Sequence, residues 1–281
     1  MDALVFAAVL FAAACHAGWN ASIKRGLDPL ATTVAISLGA ALVSLLALPV
    51  VGLPAREAWP WVLASIAIHL FYFAALIESY RTGDMGQVYP IARGAAPLLT
   101  AAGTALMIGE RIGPTAWAGI VVLAAGVLLM SVRGGRDLTR LDRRAVGFAA
   151  FTAVTVTAYS LVDGIGARLA GSGPAYALAL FIGIAPVMTA YALARRGAGV
   201  LPIMRRHWLT GLAGGTLQLV AYAIVLWAMT VAPIAVVAAL RETSVLFGAL
   251  IAVIILGEPL KPARIVAACA IVAGLVLIRL S

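Results

Sequence analysis

The sequence predicts an all-α integral membrane protein of ten transmembrane helices, arranged as two inverted five-helix repeats around a central cavity. Three observations carry that prediction: a composition too apolar for a water-soluble globule, a series of apolar runs long enough to cross a bilayer, and an internal repeat that aligns without gaps. Of the 281 residues, 63% are hydrophobic and 11% charged, and the mean hydropathy is +1.06. A chain of this size cannot hide so much apolar surface in one core. The formal net charge of +9 lies in short basic clusters between apolar runs and forms no continuous stripe. It points to membrane orientation and away from nucleic acid.

A bilayer-crossing helix needs roughly 20 apolar residues, and cutting the chain at charges, prolines and glycines leaves ten such runs. The first, 3–23, lacks a basic n-region and continues past signal-peptide length into Trp19, Asn20 and Lys24, so it reads as a retained helix. The second, 31–53, follows Pro29, and the third, 59–80, opens on Trp59 and Trp61, which read as interface anchors. The fourth, 86–108, begins inside "GDMGQVYPIARG" and carries Pro90 and Arg93, and the fifth, 115–132, follows Pro114. The charged stretch "RGGRDLTRLDRR", 133–144, then separates two halves. The remaining runs are 146–169, 174–194, 208–230, 233–256 and 263–280. All are too long for membrane strands and none alternates polar with apolar residues. The predicted organisation is a first five-helix repeat at 1–132, a charged linker at 133–145 and a second five-helix repeat at 146–281.

The repeat is visible directly. A shift of 148 residues lays "ARGAAPLLTAAGTALMIGERIGPTAWAGIVVLAAGVLL" over "LRETSVLFGALIAVIILGEPLKPARIVAACAIVAGLVL". Arg93 falls on Arg241, Gly109 and Glu110 on Gly257 and Glu258, Pro114 on Pro262, and Gly126 on Gly274. Upstream the match weakens: Trp19 and Asn20 pair with Tyr159 and Ser160 only after a five-residue shift before Pro29 and Pro174. With five crossings per half, the second half starts on the opposite side of the membrane, so the repeats are inverted. Two similar bundles in opposite orientation are a recurring plan of secondary transporters.

Ten crossings in two halves, each with "GE" closing its fourth helix (Gly109-Glu110, Gly257-Glu258) before a proline and a small-residue fifth helix, resemble the drug/metabolite transporter superfamily, EamA-like branch. The resemblance covers nearly the whole chain. It implies a secondary transporter working by alternating access in a bacterial inner membrane, with amino-acid export of the YddG type as the expected activity and sugars, nucleotide derivatives or drugs as alternative solutes. Small four-helix relatives carry an acidic residue in the first helix for proton coupling. This first helix has His16, Trp19, Asn20 and Lys24 instead.

An arginine inside a membrane helix costs about 2.5–3.5 kcal/mol on insertion scales, so it faces a wet cavity or a partner. Arg93 is expected to face inward, with Tyr89 one turn earlier and Pro90 and Gly94 loosening the helix. Three readings stand: contact with a solute carboxylate, a structural pair with Glu242 or Glu78, or a side chain that snorkels to the interface if the helix begins later. The same choice applies to Arg241, whose neighbour Glu242 points about 100° away on a continuous helix, so each is expected to find its partner on another helix. His69, Tyr72 and Tyr80 recur at helical spacing on the third run, as do His16 with Asn20 on the first and Gln218 with Tyr222 on the eighth. The expected solute site is therefore His16, Trp19, Asn20, His69, Tyr72, Tyr80, Tyr89, Arg93, Tyr159, Gln218, Tyr222 and Arg241, with Glu78, Pro90, Glu110, Glu242 and Glu258 in structural or coupling roles. Aromatic walls and an arginine suit an amphipathic solute bearing a carboxylate.

Other classes of function lack their residues. Cys15 and Cys269 lie in apolar runs and indicate neither a disulfide framework nor a thiolate metal site. Three scattered histidines make no metal site, and no cofactor is implied. A membrane-embedded enzyme would need clustered aspartates for a metal, or a serine–histidine or paired-aspartate centre. Asp28, Asp84, Asp137, Asp142 and Asp163 read as isolated or as loop residues. The expected partners are a small-molecule solute and the lipid bilayer, with no nucleic acid. Gly211 and Gly215 allow close helix approach inside the bundle or in a homo-oligomer, and a monomer suffices for the function. Basic residues concentrate after the odd-numbered crossings, which places the termini outside the cytoplasm.

Overall fold

The structure, a computed structural model, describes residues 1–24, 28–82, 85–132, 143–254 and 262–281. Among them there is no strand. In chain order the helices are α1 (Ala3–Lys24), α2 (Pro29–Val51), α3 (Trp59–Thr82), α4 (Met85–Met107), α5 (Pro114–Val132), α6 (Arg143–Leu169), α7 (Gly173–Arg196), α8 (Val200–Arg206), α9 (Trp208–Val231), α10 (Ile234–Arg241), α11 (Ser244–Ile254) and α12 (Pro262–Leu280). Among the described residues, eight stretches have the length and hydropathy to cross a membrane, and the apolar segment Pro114–Met130 is slightly shorter. With α4, they match the ten predicted crossings. Two details differ from the sequence reading. The ninth crossing is divided into α10 and α11, and the basic segment 195–207 contains the short α8, anchored by its buried Val200 and Met204 four residues apart.

The helix starts follow local chemistry. Asp28 accepts the Ala31 N–H at 3.1 Å to cap α2, with Pro29 in the first turn. Ser172 accepts the Ala175 N–H at 3.2 Å to cap α7, with Pro174 there. Both proline pairs use a position where the missing N–H costs nothing.

The chain forms two compact units, each drawn from both sequence halves. One comprises Met1–Leu10, Phe71–Leu161 and Ala232–Ser281; the other comprises Phe11–Leu70 and Val162–Val231. In the first unit α5 packs on α12 through small residues. A Cβ on Gly126 would stand 2.8 Å from the Ile271 nitrogen and 3.1 Å from the Ala267 carbonyl oxygen. One on Gly274 would stand 2.7 Å from the Leu123 nitrogen and 2.8 Å from the Gly119 carbonyl oxygen. Under the repeat shift these contacts exchange, Gly126 with Gly274, Leu123 with Ile271 and Gly119 with Ala267. That reciprocity is the signature of a local two-fold relation. Contacts move toward the start of α12 as they move toward the end of α5, so the two repeat-mates run antiparallel. Inversion is thus written into this pair.

In the second unit α2 and α9 approach through Gly39, Gly211 and Gly215, where a Cβ on Gly211 would stand 2.7 Å from the Ala35 carbonyl oxygen. The Gly211/Gly215 pattern is therefore spent inside the chain. Contacts advance together along both helices (Ala35 with Gly211, Ala40 with Gly215), so the second and eighth crossings are parallel.

Connections bonded to each other obey the same alternation. Asp28, after the first crossing, pairs with Arg196, after the seventh. The Ala55 N–H, after the second, donates to the Ala170 carbonyl, after the sixth, at 3.2 Å. Arg279 donates to the Met1 carbonyl at 2.9 Å, in keeping with an even number of crossings, which puts both ends on one side.

Candidate functional site

In the first unit the polar centre is built where the ninth crossing breaks. α10 ends at Arg241, and its last turn tightens: the Glu242 N–H donates to Ala239 at 3.0 Å and the Thr243 N–H to Leu240 at 3.1 Å. α11 restarts at Ser244. Glu242 itself keeps right-handed helical backbone angles (φ −68°, ψ −12°), so it meets Arg241 through the reach of two long side chains. Its carboxylate lies 3.1 Å from Arg93 Nε, 3.3 Å from Arg93 Nη1 and 3.6 Å from Arg241 Nη2. Arg93 also donates to Ser244 Oγ at 3.3 Å. Arg241 donates to Tyr159 Oη at 3.2 Å and stands 5.3 Å from the centre of that ring. Tyr72 meets Tyr159 edge-on at 5.6 Å. Arg93, Arg241 and Glu242 are 2%, 4% and 1% exposed, so water hardly screens their attraction, which must offset the cost of burying three charges.

This arrangement revises two expectations. Arg93 finds its partner on another element, but Arg241 shares that same neighbouring glutamate, its long side chain reaching the carboxylate at 3.6 Å although the two residues are adjacent in the chain. The break also falls in the second half, whereas α4 runs unbroken from Met85 to Met107 through Pro90.

Glu110 has a structural task. Gly109 adopts a positive φ of 65° after α4, a conformation that suits glycine. The Thr104 carbonyl accepts both the Ile108 and Glu110 N–H groups, at 3.2 and 3.1 Å. The Glu110 carboxylate then accepts the Ile234 and Ala235 N–H groups at 2.9 and 3.2 Å, capping the start of α10. An anion there is favoured by the unpaired donors and dipole of the helix N-terminus. The "GE" pair of the first half thus anchors the short helix that carries Arg241. Glu258 lies outside the described residues, as do the side chains of Glu78, Tyr80, Tyr89 and Pro90.

The second unit holds a separate polar cluster around Asp163 of α6, which the sequence reading set aside as isolated. Asp163 is 0% exposed. Its Oδ1 accepts Tyr176 Oη of α7 at 3.0 Å, and its Oδ2 accepts Tyr222 Oη of α9. Ser65 and His69 of α3 also face it. His69 Nδ1 lies 2.9 Å from the Ser65 carbonyl oxygen and 3.1 Å from Ser65 Oγ. The His69 and Tyr222 rings meet edge-on at 6.0 Å, and Phe181 meets Tyr222 at 5.7 Å. Gly166 leaves room for Tyr176, since a Cβ there would stand 2.8 Å from Tyr176 Cζ. One turn before Tyr222, the buried Oε1 of Gln218 has no hydrogen-bond donor among the described residues. The signal for Asp163 was present in the sequence: an acid well inside a predicted crossing.

The predicted first-helix residues bond chiefly within their own helix. Trp19 Nε1 donates to His16 Nδ1 at 3.3 Å, and Asn20 Nδ2 to the His16 carbonyl at 2.9 Å. The structure therefore brings together Tyr72, Arg93, Tyr159, Arg241 and Glu242 in one unit. In the other it brings together His69 and Tyr222 around the unpredicted Asp163. No group of three or more metal-ligating side chains occurs among the described residues.

A model of the EamA-like transporter family matches the chain twice, at residues 3–132 and 143–280. No curated protein matches it. A solved structure titled only "Crystal structure of protein" is similar in fold, with a TM-score of 0.75 at 21% identity, covering 99% of this chain and 96% of its own.

Proposed function

Because the chain belongs to the EamA-like transporter family, we propose that it is a secondary transporter that exports amino acids across a bacterial inner membrane by alternating access. The observation that carries this reading is the buried Arg93–Glu242–Arg241 cluster with its tyrosine wall. A guanidinium offers several donors in one plane, and a carboxylate accepts them in pairs. A solute carboxylate can therefore replace Glu242 on one arginine while Glu242 stays with the other. Tyr72 and Tyr159 supply apolar surface for the rest of an amphipathic solute, and Ser244 adds a hydroxyl. The exchange is reversible because the same buried carboxylate returns when the solute leaves. A transporter needs such a balance, tight enough to load and weak enough to release. One chain suffices, and the residues implicated need no metal or cofactor.

The direct test is counterflow of labelled solutes into liposomes containing purified protein. Amino acids should exchange, and among them bulky apolar ones best. Exchange of sugars or nucleosides with no response to amino acids would overturn the reading.

A further inference from the structure

We propose that Asp163 is the proton-binding group of this transporter, and that protons are therefore its coupling ion. This rests on the transport reading only for the word coupling; proton binding at Asp163 is a property of the protein alone.

Asp163 lies inside the α6 membrane segment Ala149–Leu169, six residues from its C-terminal end, and is fully buried. A carboxylate in that position is retained against a large solvation cost, which marks it as a functional group. Among the described residues, the groups that face it are Tyr176, Tyr222, Ser65 and His69, and none is a lysine or arginine. On its own helix, Arg168 is turned to the Met229 carbonyl at 2.8 Å. The carboxylate is thus held by hydroxyls and one imidazole, groups that serve either protonation state. When Asp163 is ionised, both tyrosine hydroxyls donate to it, as observed. When a proton arrives, an O–H bond forms on one carboxyl oxygen and the charge falls from −1 to zero. That oxygen can then donate to Tyr222 Oη, whose own hydrogen rotates away. An arginine in place of the hydroxyls would lock the group in its anionic form.

His69 offers the route. Its Nδ1 lies 3.1 Å from Ser65 Oγ, and Ser65 also faces the carboxylate, so an imidazolium formed at His69 can pass a proton to the Ser65 hydroxyl as that hydroxyl gives its own to Asp163, leaving the histidine neutral again.

Infrared difference spectroscopy on protein in liposomes, titrated between about pH 5 and 8, reads this group without any solute. A protonated-carboxyl stretching band should grow on acidification in the wild type and be missing in Asp163→Asn. In the same vesicles, an imposed proton gradient should drive accumulation of labelled phenylalanine by the wild type. Asp163→Asn should lose that accumulation at least tenfold while keeping gradient-free phenylalanine counterflow within about twofold. Identical spectra for wild type and variant, or gradient-driven accumulation by the variant, would overturn the proposal. Should Asp163→Asn not be recovered folded, Tyr222→Phe removes one of the two donors to the carboxylate. The pH midpoint of the band should then move, and an unmoved midpoint would also overturn it. If phenylalanine shows no flux at all in the wild type, the amino-acid reading fails, while the spectra still decide the proton site.

Discussion

Glu242 is one carboxylate serving two guanidiniums, and its removal should differ sharply from removal of either partner. Glu242→Gln leaves Arg93 and Arg241 buried beside each other without the anion they share. Breaking a buried pair in this way costs about 3–5 kcal/mol. The variant should fall in thermal stability or in yield of monodisperse protein in detergent. Arg93→Gln, by contrast, leaves Glu242 with Arg241 at 3.6 Å, so the folded yield should fall less than in Glu242→Gln. Equal yields for both variants would show that the shared carboxylate does not hold the cluster together. Arg93 was legible in the sequence because an arginine within an apolar run calls for an explanation. The shared role of Glu242 was not, because it depends on Arg93 meeting a residue 149 positions away in the chain.

At the scale of elements, the α5–α12 contact depends on glycine where backbone meets backbone. Gly274→Val should overpack it and destabilise the protein by about 1–3 kcal/mol. Gly113→Ala should leave stability unchanged, because its Cβ would meet nothing within 4 Å. Thermal denaturation in detergent separates the two, and equal midpoints would contradict the packing account. A second element-scale prediction concerns the start of α2. Partial burial pushes the Asp28 carboxyl up, but the Ala31 N–H and the Arg196 guanidinium outweigh it and hold the group below the usual carboxylate range. A depressed folded value means the stabilisation is present above the unfolded value of about 3.9 and is lost as pH falls through the folded one. Acidification below about pH 4 should therefore lower the wild-type midpoint. Asn caps helices about as well as Asp, so Asp28→Asn should keep the cap and flatten that pH dependence; an equally steep fall in the variant would refute this. The helices themselves were readable because apolar length and proline placement set them locally. α8 was not, since its two buried residues sit among arginines that read as a loop.

At the scale of the whole molecule, the ten alternating crossings and the inverted halves were legible because a 148-residue shift aligns the sequence with itself and five is odd. The unit boundaries were not, since each compact unit takes segments from both halves and depends on contacts between residues far apart in the chain. Orientation follows from loop charge. Lys24, Arg25, Arg81, Arg133, Arg136, Arg140, Arg143, Arg144, Arg195, Arg196, Arg205, Arg206, Lys261 and Arg264 flank the connections after odd-numbered crossings, against Arg56, Arg111, Arg168 and Arg279 on the other side. The termini should lie outside the cytoplasm. A C-terminal fusion to a fluorescent protein that matures only in the cytoplasm should stay dark, and bright cells would reverse the assignment. The central claim is that a solute carboxylate binds the buried arginine cluster. Its most direct measurement is amino-acid counterflow by wild type and Arg93→Gln in liposomes, normalised to folded protein. At least a tenfold loss per folded protein is expected in the variant, whereas wild-type counterflow of every amino acid by Arg93→Gln would contradict it.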